Sequence, residues 1–221
     1  MHVAEAVASR RSVRAFLDAP VDMAVVRDVL DRARLAPSGC NYQPWEATVL
    51  TGAPLKALQD RLLASAPDDP QEYSFSAPGE REKYQQRLSG LGAKMYGAIK
   101  VGREDTDMRS LFTQQNLTSF GAPVLLLSHF PKLMGPPQWS DVGMWLQSIM
   151  VLLHGEGLGS CPQESLFVHG RLIKEFVGVS DETHVFFCGM AIGHPDLDAP
   201  LNQYERTRAP LSQVIRFIGE G

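Results

Sequence analysis

Apolar positions along the chain recur at two spacings, about 3.6 residues or two, and each predicts a different element. Val25, Val26, Val29, Leu30 and Ala33 repeat at helical spacing after Asp22, whose carboxylate can cap free helix N–H groups. Residues 22–36 are therefore predicted to form an amphipathic helix, ended by Pro37-Ser38-Gly39. Ahead of it, residues 3–9 read as a short helix and residues 10–16 as an extended or turning segment. Trp45, Ala47 and Val49 alternate with Glu46 and Thr48, which predicts a strand running to Thr51. Gly52-Ala53-Pro54 then opens a helix through about Ala66, with Pro54 in the first turn, where a missing N–H costs little.

The second half carries longer apolar runs. Val124–Ser128, between Pro123 and Pro131, reads as a buried strand, and Val185–Ile192 as a second. Between them Asp141 is placed to cap a helix over Val142–Glu156, ended by Gly157 and Gly159. That helix is apolar on nearly every side, so it is expected to be central and to pack against a second subunit. Val168–Val177 reads as another helix, and Val214–Ile218 as a candidate strand reaching towards a partner. Pro67, Pro70, Pro78 and Gly79 punctuate a polar stretch that leads into a charged helical segment from about Glu80 to Lys100. Residues 67–110 are too short and polar to bury a core, and read as a helical insertion on a single domain spanning residues 1–221. Several helices with a few isolated strands define the fold class as α+β.

Composition narrows the function. Hydrophobic residues make up 44% of the 221 positions, enough to build a core. A formal charge of −4 argues against general nucleic-acid or anionic-membrane binding. The most apolar stretch, Met144–Leu153, is far shorter than the roughly 20 residues a bilayer requires. No basic start followed by an apolar run suggests a signal peptide, and Cys40, Cys161 and Cys188 fit reduced thiols of a cytoplasmic protein. The six histidines are scattered without ligand spacing and no Cys-x-x-Cys pair exists, so no metal site is expected. Dinucleotide, P-loop and nucleophile-elbow motifs are absent.

Four local constellations carry candidate chemistry. Arg10, Arg11, Ser12 and Arg14 place three cations and a hydroxyl within five residues, and guanidinium forks suit a phosphate. Taken alone, the stretch reads more readily as a solvated basic turn. Arg206 and Arg208 form a second basic group near the other end, and a fold that joined the ends would close both on one anion. Pro37-Ser38-Gly39-Cys40-Asn41-Tyr42-Gln43-Pro44-Trp45 is a stiff polar loop able to aim donors at a ligand, or a plain helix-to-strand connection. Gly157-Leu158-Gly159-Ser160-Cys161-Pro162-Gln163-Glu164-Ser165 is a glycine-rich turn with the same two readings; Glu164 reads as an exposed loop acid before a catalytic base.

Together with Phe120-Gly121-Ala122-Pro123-Val124, Asp141–Met150 and Asn202–Leu211, these blocks resemble, in order and spacing, the nitroreductase family of FMN enzymes. The resemblance covers nearly the whole chain, and Cys161-Pro162-Gln163 with the polar insertion is similar to its nitrobenzoate and nitroarene reductase branch. It implies a central, mostly antiparallel sheet flanked by helices, in an intertwined homodimer with FMN at the interface. In that likeness Arg10, Arg11 and Ser12 match phosphate and ribityl contacts, Arg206 and Arg208 match further phosphate ligands, and Arg14 matches a cation beside flavin N1. Reduced flavin carries negative charge there, which a fixed cation stabilises. Pro37, Ser38, Gly39 and Asn41 match a loop reaching the flavin of the other subunit; Pro162, Gln163, Glu164 and Ser165 match the loop at the N5 edge. An amide on the pyrimidine edge falls to Gln114 by helical offset or to Asn116 by branch pattern. Glu205 departs from the family, where many relatives carry a base.

The implied activity is ping-pong hydride transfer from NADH or NADPH, through flavin N5, to a nitroaromatic or quinone-like small-molecule acceptor. No catalytic side chain is required, and Tyr73, Phe75 and Tyr84 are placed as lining of the substrate channel. Reductive dehalogenation, azoline oxidation or flavin fragmentation on the same scaffold, a non-catalytic flavin-binding protein, and a cofactor-free domain are the alternatives.

Overall fold

A computed structural model describes residues 1–73 and 81–219. Phe75, expected as channel lining, lies outside the described residues. The strands β1 (Glu46–Thr51), β2 (Val124–Pro131), β3 (Gly159–Gln163) and β4 (His184–Gly193) form one sheet in the order β1-β2-β4-β3, each neighbouring pair antiparallel. Side chains alternate along β2, and that alternation divides the core. Val124, Leu126 and Phe130 pack with α2 (Met23–Ala33) and α6 (Pro136–Gly155), through Val26, Val29, Trp145 and Ile149. Leu125 and Leu127 pack on the opposite face with α3 (Gly52–Leu63) and α7 (Gly170–Val177), through Leu58, Leu62 and Ile173. With helices on both faces, β2 and β4 read in the sequence as continuous apolar runs. This is the α+β, antiparallel arrangement that the resemblance implied.

Three further helices complete the frame: α1 (Val3–Ser9), α4 (Glu82–Ala98) and α5 (Thr106–Gln114), with the single turn α8 (Pro200–Gln203) near the end. A third cluster, Phe112, Phe120, Ala122, Cys161 and Ala191, ties α5 to the sheet, and Met95, Tyr96 and Ile99 of α4 pack against it.

The structure corrects several expectations. Asp141 does not cap α6. The helix begins at Pro136, because two prolines in a first turn need no donors, and Gln138 accepts from the Gly135 N–H at 3.1 Å. Asp141 therefore lies inside the helix, 4% exposed, and its carboxylate accepts from the Gly39 N–H at 3.2 Å. The segment from Gly159 to Gln163, read as a turn, is the edge strand β3, where an edge position tolerates Pro162. Residues 214–218 form no strand, and Val214, Ile215, Phe217 and Ile218 are exposed. Strand β2 continues past Ser128 to Pro131, and its register with β4 shifts between Ser128 and His129, where β4 carries the extra residue Phe187.

Asp141→Ala is expected to leave the Gly39 N–H without its partner and to cost about 1–3 kcal/mol in urea unfolding. Hydrogen exchange at Gly39 should accelerate in the same variant; unchanged exchange there would show that the carboxylate does not hold the loop.

Candidate functional site

The two ends of the chain meet on the outer side of β3. Ser12 forms a parallel bridge with Ser160, and the Val13 N–H donates to the Ser160 carbonyl at 2.9 Å. Gly159 permits the approach, since a Cβ there would meet Val13 Cγ2 at 2.8 Å. From the other end, buried Asn202 accepts from the Arg14 N–H at 2.9 Å and donates to the Ala15 and Asp196 carbonyls at 2.8 and 2.7 Å. Arg11 donates to the Tyr204 carbonyl and stacks 5.4 Å from its ring centroid; Arg14 donates to the Tyr204 hydroxyl at 3.1 Å. Arg206 donates to the Ala8 and Arg10 carbonyls at the C-terminal end of α1, a favourable place for a cation.

These contacts assemble Arg10, Arg11, Ser12, Arg14, Arg206 and Arg208 around one cavity of about 1050 Å³. None of the five arginines has a carboxylate partner among the described residues. Burial pushes the Arg10 guanidinium below its ordinary pKa, and Arg206 and Arg208 push it further. Arg206 is lowered in the same way by burial, Arg208 and Arg11. Cations gathered without a counter-charge, beside a serine hydroxyl, form a donor set that fits a phosphate monoester.

The other expected residues do not line this cavity in the single chain. Pro37, Gly39 and Asn41 are exposed and Ser38 half-buried, in a loop held by Asp141 and by the Gln43 N–H donating to Ser38 Oγ at 3.0 Å. Cys40, Asn41 and Gln43 have φ of 51°, 57° and 47°, a left-handed backbone that costs energy at non-glycine positions. At the end of β3, Pro162 is half-buried, Gln163 buried, and Glu164 and Ser165 exposed. Gln163 Nε2 donates to the Asn116 carbonyl at 2.8 Å, while its Oε1 is buried without a hydrogen-bond partner. That contact uses the Asn116 backbone; its side-chain amide donates to the Thr113 carbonyl at 2.9 Å, and Gln114 is exposed.

Several site residues escaped the sequence reading. Tyr204 and Asn202 sit among the C-terminal basic residues, yet only their contacts across the chain ends reveal a role. Lys83 and Arg87 of α4 also line the cavity; four residues apart, they share a helix face. Glu205 does not disturb the cluster, because Lys94 draws it away at 2.5 Å and holds its carboxyl below the usual range. Tyr73 is turned inward: its hydroxyl donates to the Phe187 carbonyl at 2.7 Å and its ring packs on Trp139 and Phe187.

Fold and site together define a class: an antiparallel α+β domain whose joined termini gather a donor set suited to a phosphate-bearing ligand. The chain belongs to the Nitroreductase family, whose model matches residues 7–194. It is 36% identical over 215 residues to a 4-nitrobenzoate reductase of Pseudomonas putida, covering 96% of this chain and 94% of the relative. Among solved structures, it is similar over 100% of both chains to the FMN and NADPH-dependent nitroreductase NfnB of Sphigopyxis sp. strain HMH, with TM-score 0.95 and 42% identity. The FMN-dependent nitroreductase NfnB of Mycobacterium smegmatis, solved in complex with NADPH, matches over 98% of each chain with TM-score 0.91 and 27% identity.

His154 reports on the cluster. Its Nε2 lies 2.7 Å from Ser9 Oγ, and burial, then Arg10 and Arg206, hold its pKa below the ordinary value. His129 and His169 are lowered chiefly by burial. A histidine lowered on folding leaves the unfolded chain holding more protons, so stability should be full above about pH 6.5 and fall as pH drops below it. Saturating inorganic phosphate should raise the His154 pKa by offsetting Arg10 and Arg206, read by NMR of its ring; an unmoved value would mean that no anion enters between them.

Proposed function

We propose that this chain is an FMN-dependent oxidoreductase that draws reducing equivalents from NADH or NADPH and delivers them to a nitroaromatic or quinone-like acceptor. The observation that carries the reading is the cluster of arginines from both chain ends, without a carboxylate to balance them, around one cavity. An FMN phosphate supplies the missing anion, and relatives matching the full length of this chain are named as FMN and NADPH-dependent nitroreductases. Bound FMN supplies the redox chemistry, accepting hydride at N5 and returning it to a second substrate.

Arg10, Arg11, Ser12, Arg206 and Arg208 hold the phosphate and ribityl chain. Arg14, fixed by Tyr204 and Asn202, keeps positive charge where electron density rises on the ring. Pro162, Gln163, Glu164 and Ser165 address the N5 edge, and the amide of Gln114 or Asn116 the pyrimidine edge. No side chain is assigned as a proton donor; the protein's part is orientation, charge placement and exclusion of competing reactions.

A second copy of the chain completes the site. Supporting this are the exposed apolar residues Val3 and Val7 on α1, Met144 on α6, and Val214, Ile215, Phe217 and Ile218 of the tail. The strained loop carrying Pro37, Ser38, Gly39 and Asn41 then serves the partner's flavin. Residues 67–110 are an insertion on a single domain, and their helix α4 brings Lys83 and Arg87 to the cavity.

The test is an anaerobic visible spectrum. NADPH or NADH should bleach the flavin band, and 4-nitrobenzoate should restore it; a band that stays oxidised would favour a flavin-binding protein without this activity. Arg10→Ala should weaken FMN binding about 10- to 100-fold, as expected for losing one charge-assisted contact. The same variant should not lower the stability of the FMN-free protein, because it relieves repulsion from Arg206 and Arg208. Unchanged FMN affinity would place the phosphate elsewhere.

A further inference from the structure

Two histidines and a glutamate, distant in sequence, converge at the other end of the sheet. Glu46 opens β1 and pairs in register with His129 of β2; His184 opens β4, opposite Pro131. Strand β4 has 10 residues, so roughly 30 Å separate His184 from Gly193, the end near the arginines. Where Ser128 pairs with Cys188 and His129 with Phe186, Phe187 is the extra residue of β4, so the irregularity lies in β4 and His129 keeps its register with Glu46. Glu46 Oε2 lies 3.6 Å from His129 Nδ1 and 3.4 Å from His184 Nε2, and all three ligand atoms fall within 4.8 Å of one another.

Each imidazole presents one nitrogen inward and engages the other with a threonine. Thr183 Oγ1 lies 2.9 Å from His184 Nδ1, and Thr48 Oγ1 lies 3.4 Å from His129 Nε2. Metal-bound histidines are oriented in this way by a partner on the second nitrogen. The His129 side chain is 7% exposed, yet its Nδ1 has no hydrogen-bond partner; 3.6 Å is too long for one.

The neighbouring cations are engaged elsewhere. Lys174 lies close enough to act on His129, but it pairs with Glu72 and, at 2.7 Å, with Asp181; Lys132 lies 3.4 Å from Glu72 and Arg171 lies 3.7 Å from Asp181. Glu46 is left with only the two histidines as partners among the described residues. Around zinc at about 2.0–2.1 Å, tetrahedral ligand atoms lie roughly 3.3–3.4 Å apart, close to the two glutamate–histidine separations.

We propose that Glu46, His129 and His184 bind one divalent transition metal of the zinc class, with water in the fourth position, clamping β1, β2 and β4 together. Two borderline imidazole ligands with one hard carboxylate match known zinc sites, whereas calcium and magnesium prefer all-oxygen ligands. The clamp is independent of the flavin reading, because its ligands share no residue with the arginine cavity.

Calorimetric titration of the chelator-treated full-length protein with zinc chloride tests it, since no flavin chemistry enters the readout. One zinc per chain is expected, together with a zinc-dependent rise in Tm. Glu46→Gln and His184→Asn, both at partly exposed positions, should abolish both effects, while Thr183→Val should weaken binding about tenfold by releasing His184. Cys40→Ser, which removes an exposed thiol, should bind zinc normally. Absence of stoichiometric binding, or equal binding by the ligand variants, would overturn the proposal.

Discussion

Like-charge repulsion among Arg10, Arg206 and Arg208 is the constraint around which the rest of the molecule is arranged. Left to themselves these groups would separate into solvent, since a guanidinium keeps its proton under all ordinary conditions. They stay together because other contacts hold their backbones. Asn202 joins the strand after α1 to the turn at α8, Tyr204 engages Arg11 and Arg14, and Arg206 caps α1. Each hydrogen bond contributes only about 1 kcal/mol. Several together keep in place a charge arrangement whose natural resolution is a bound anion.

The sheet makes that arrangement possible by being rigid where the termini are not. Strands β2 and β4 are covered on both faces, so their register is strongly specified, and β3 inherits its position from β4. The edge of β3 then offers Ser160 to the N-terminal strand, which carries Arg10 to Arg14 to the cavity. A packed core on one side and a polar seam on the other place the cluster without any arginine being buried in apolar surroundings.

Helix α6 links this frame to the second loop. Its inner face fills the core through Val142, Trp145, Ile149 and Leu153, and the same helix presents Asp141 to the backbone of Gly39. The left-handed residues of that loop are tolerated because the carboxylate and Ser38 hold it from both sides. At the far end of the sheet, direct pairing of β1 with β2 sets His129 opposite Glu46.

Periodicity alone determined the elements buried on a regular stripe: α2 behind its Asp22 cap, the apolar strands β2 and β4, and the central α6. Arg10, Arg11, Arg14, Arg206 and Arg208 were visible as basic groups, but alone they read as solvated charge, and the family resemblance marked them as phosphate contacts. Tertiary structure decided whatever depended on a neighbour. Strand β3 has the composition of a turn and exists because β4 offers it a ladder; Asp141 looks like a cap until the prolines before it begin the helix earlier. The apolar tail, a candidate strand by composition, has no ladder in the single chain. Meeting of the two arginine groups, and of Glu46, His129 and His184, was equally beyond local reading. Contacts between residues far apart in the chain leave no spacing along it, because they are set by sheet order and register rather than by helical or strand period.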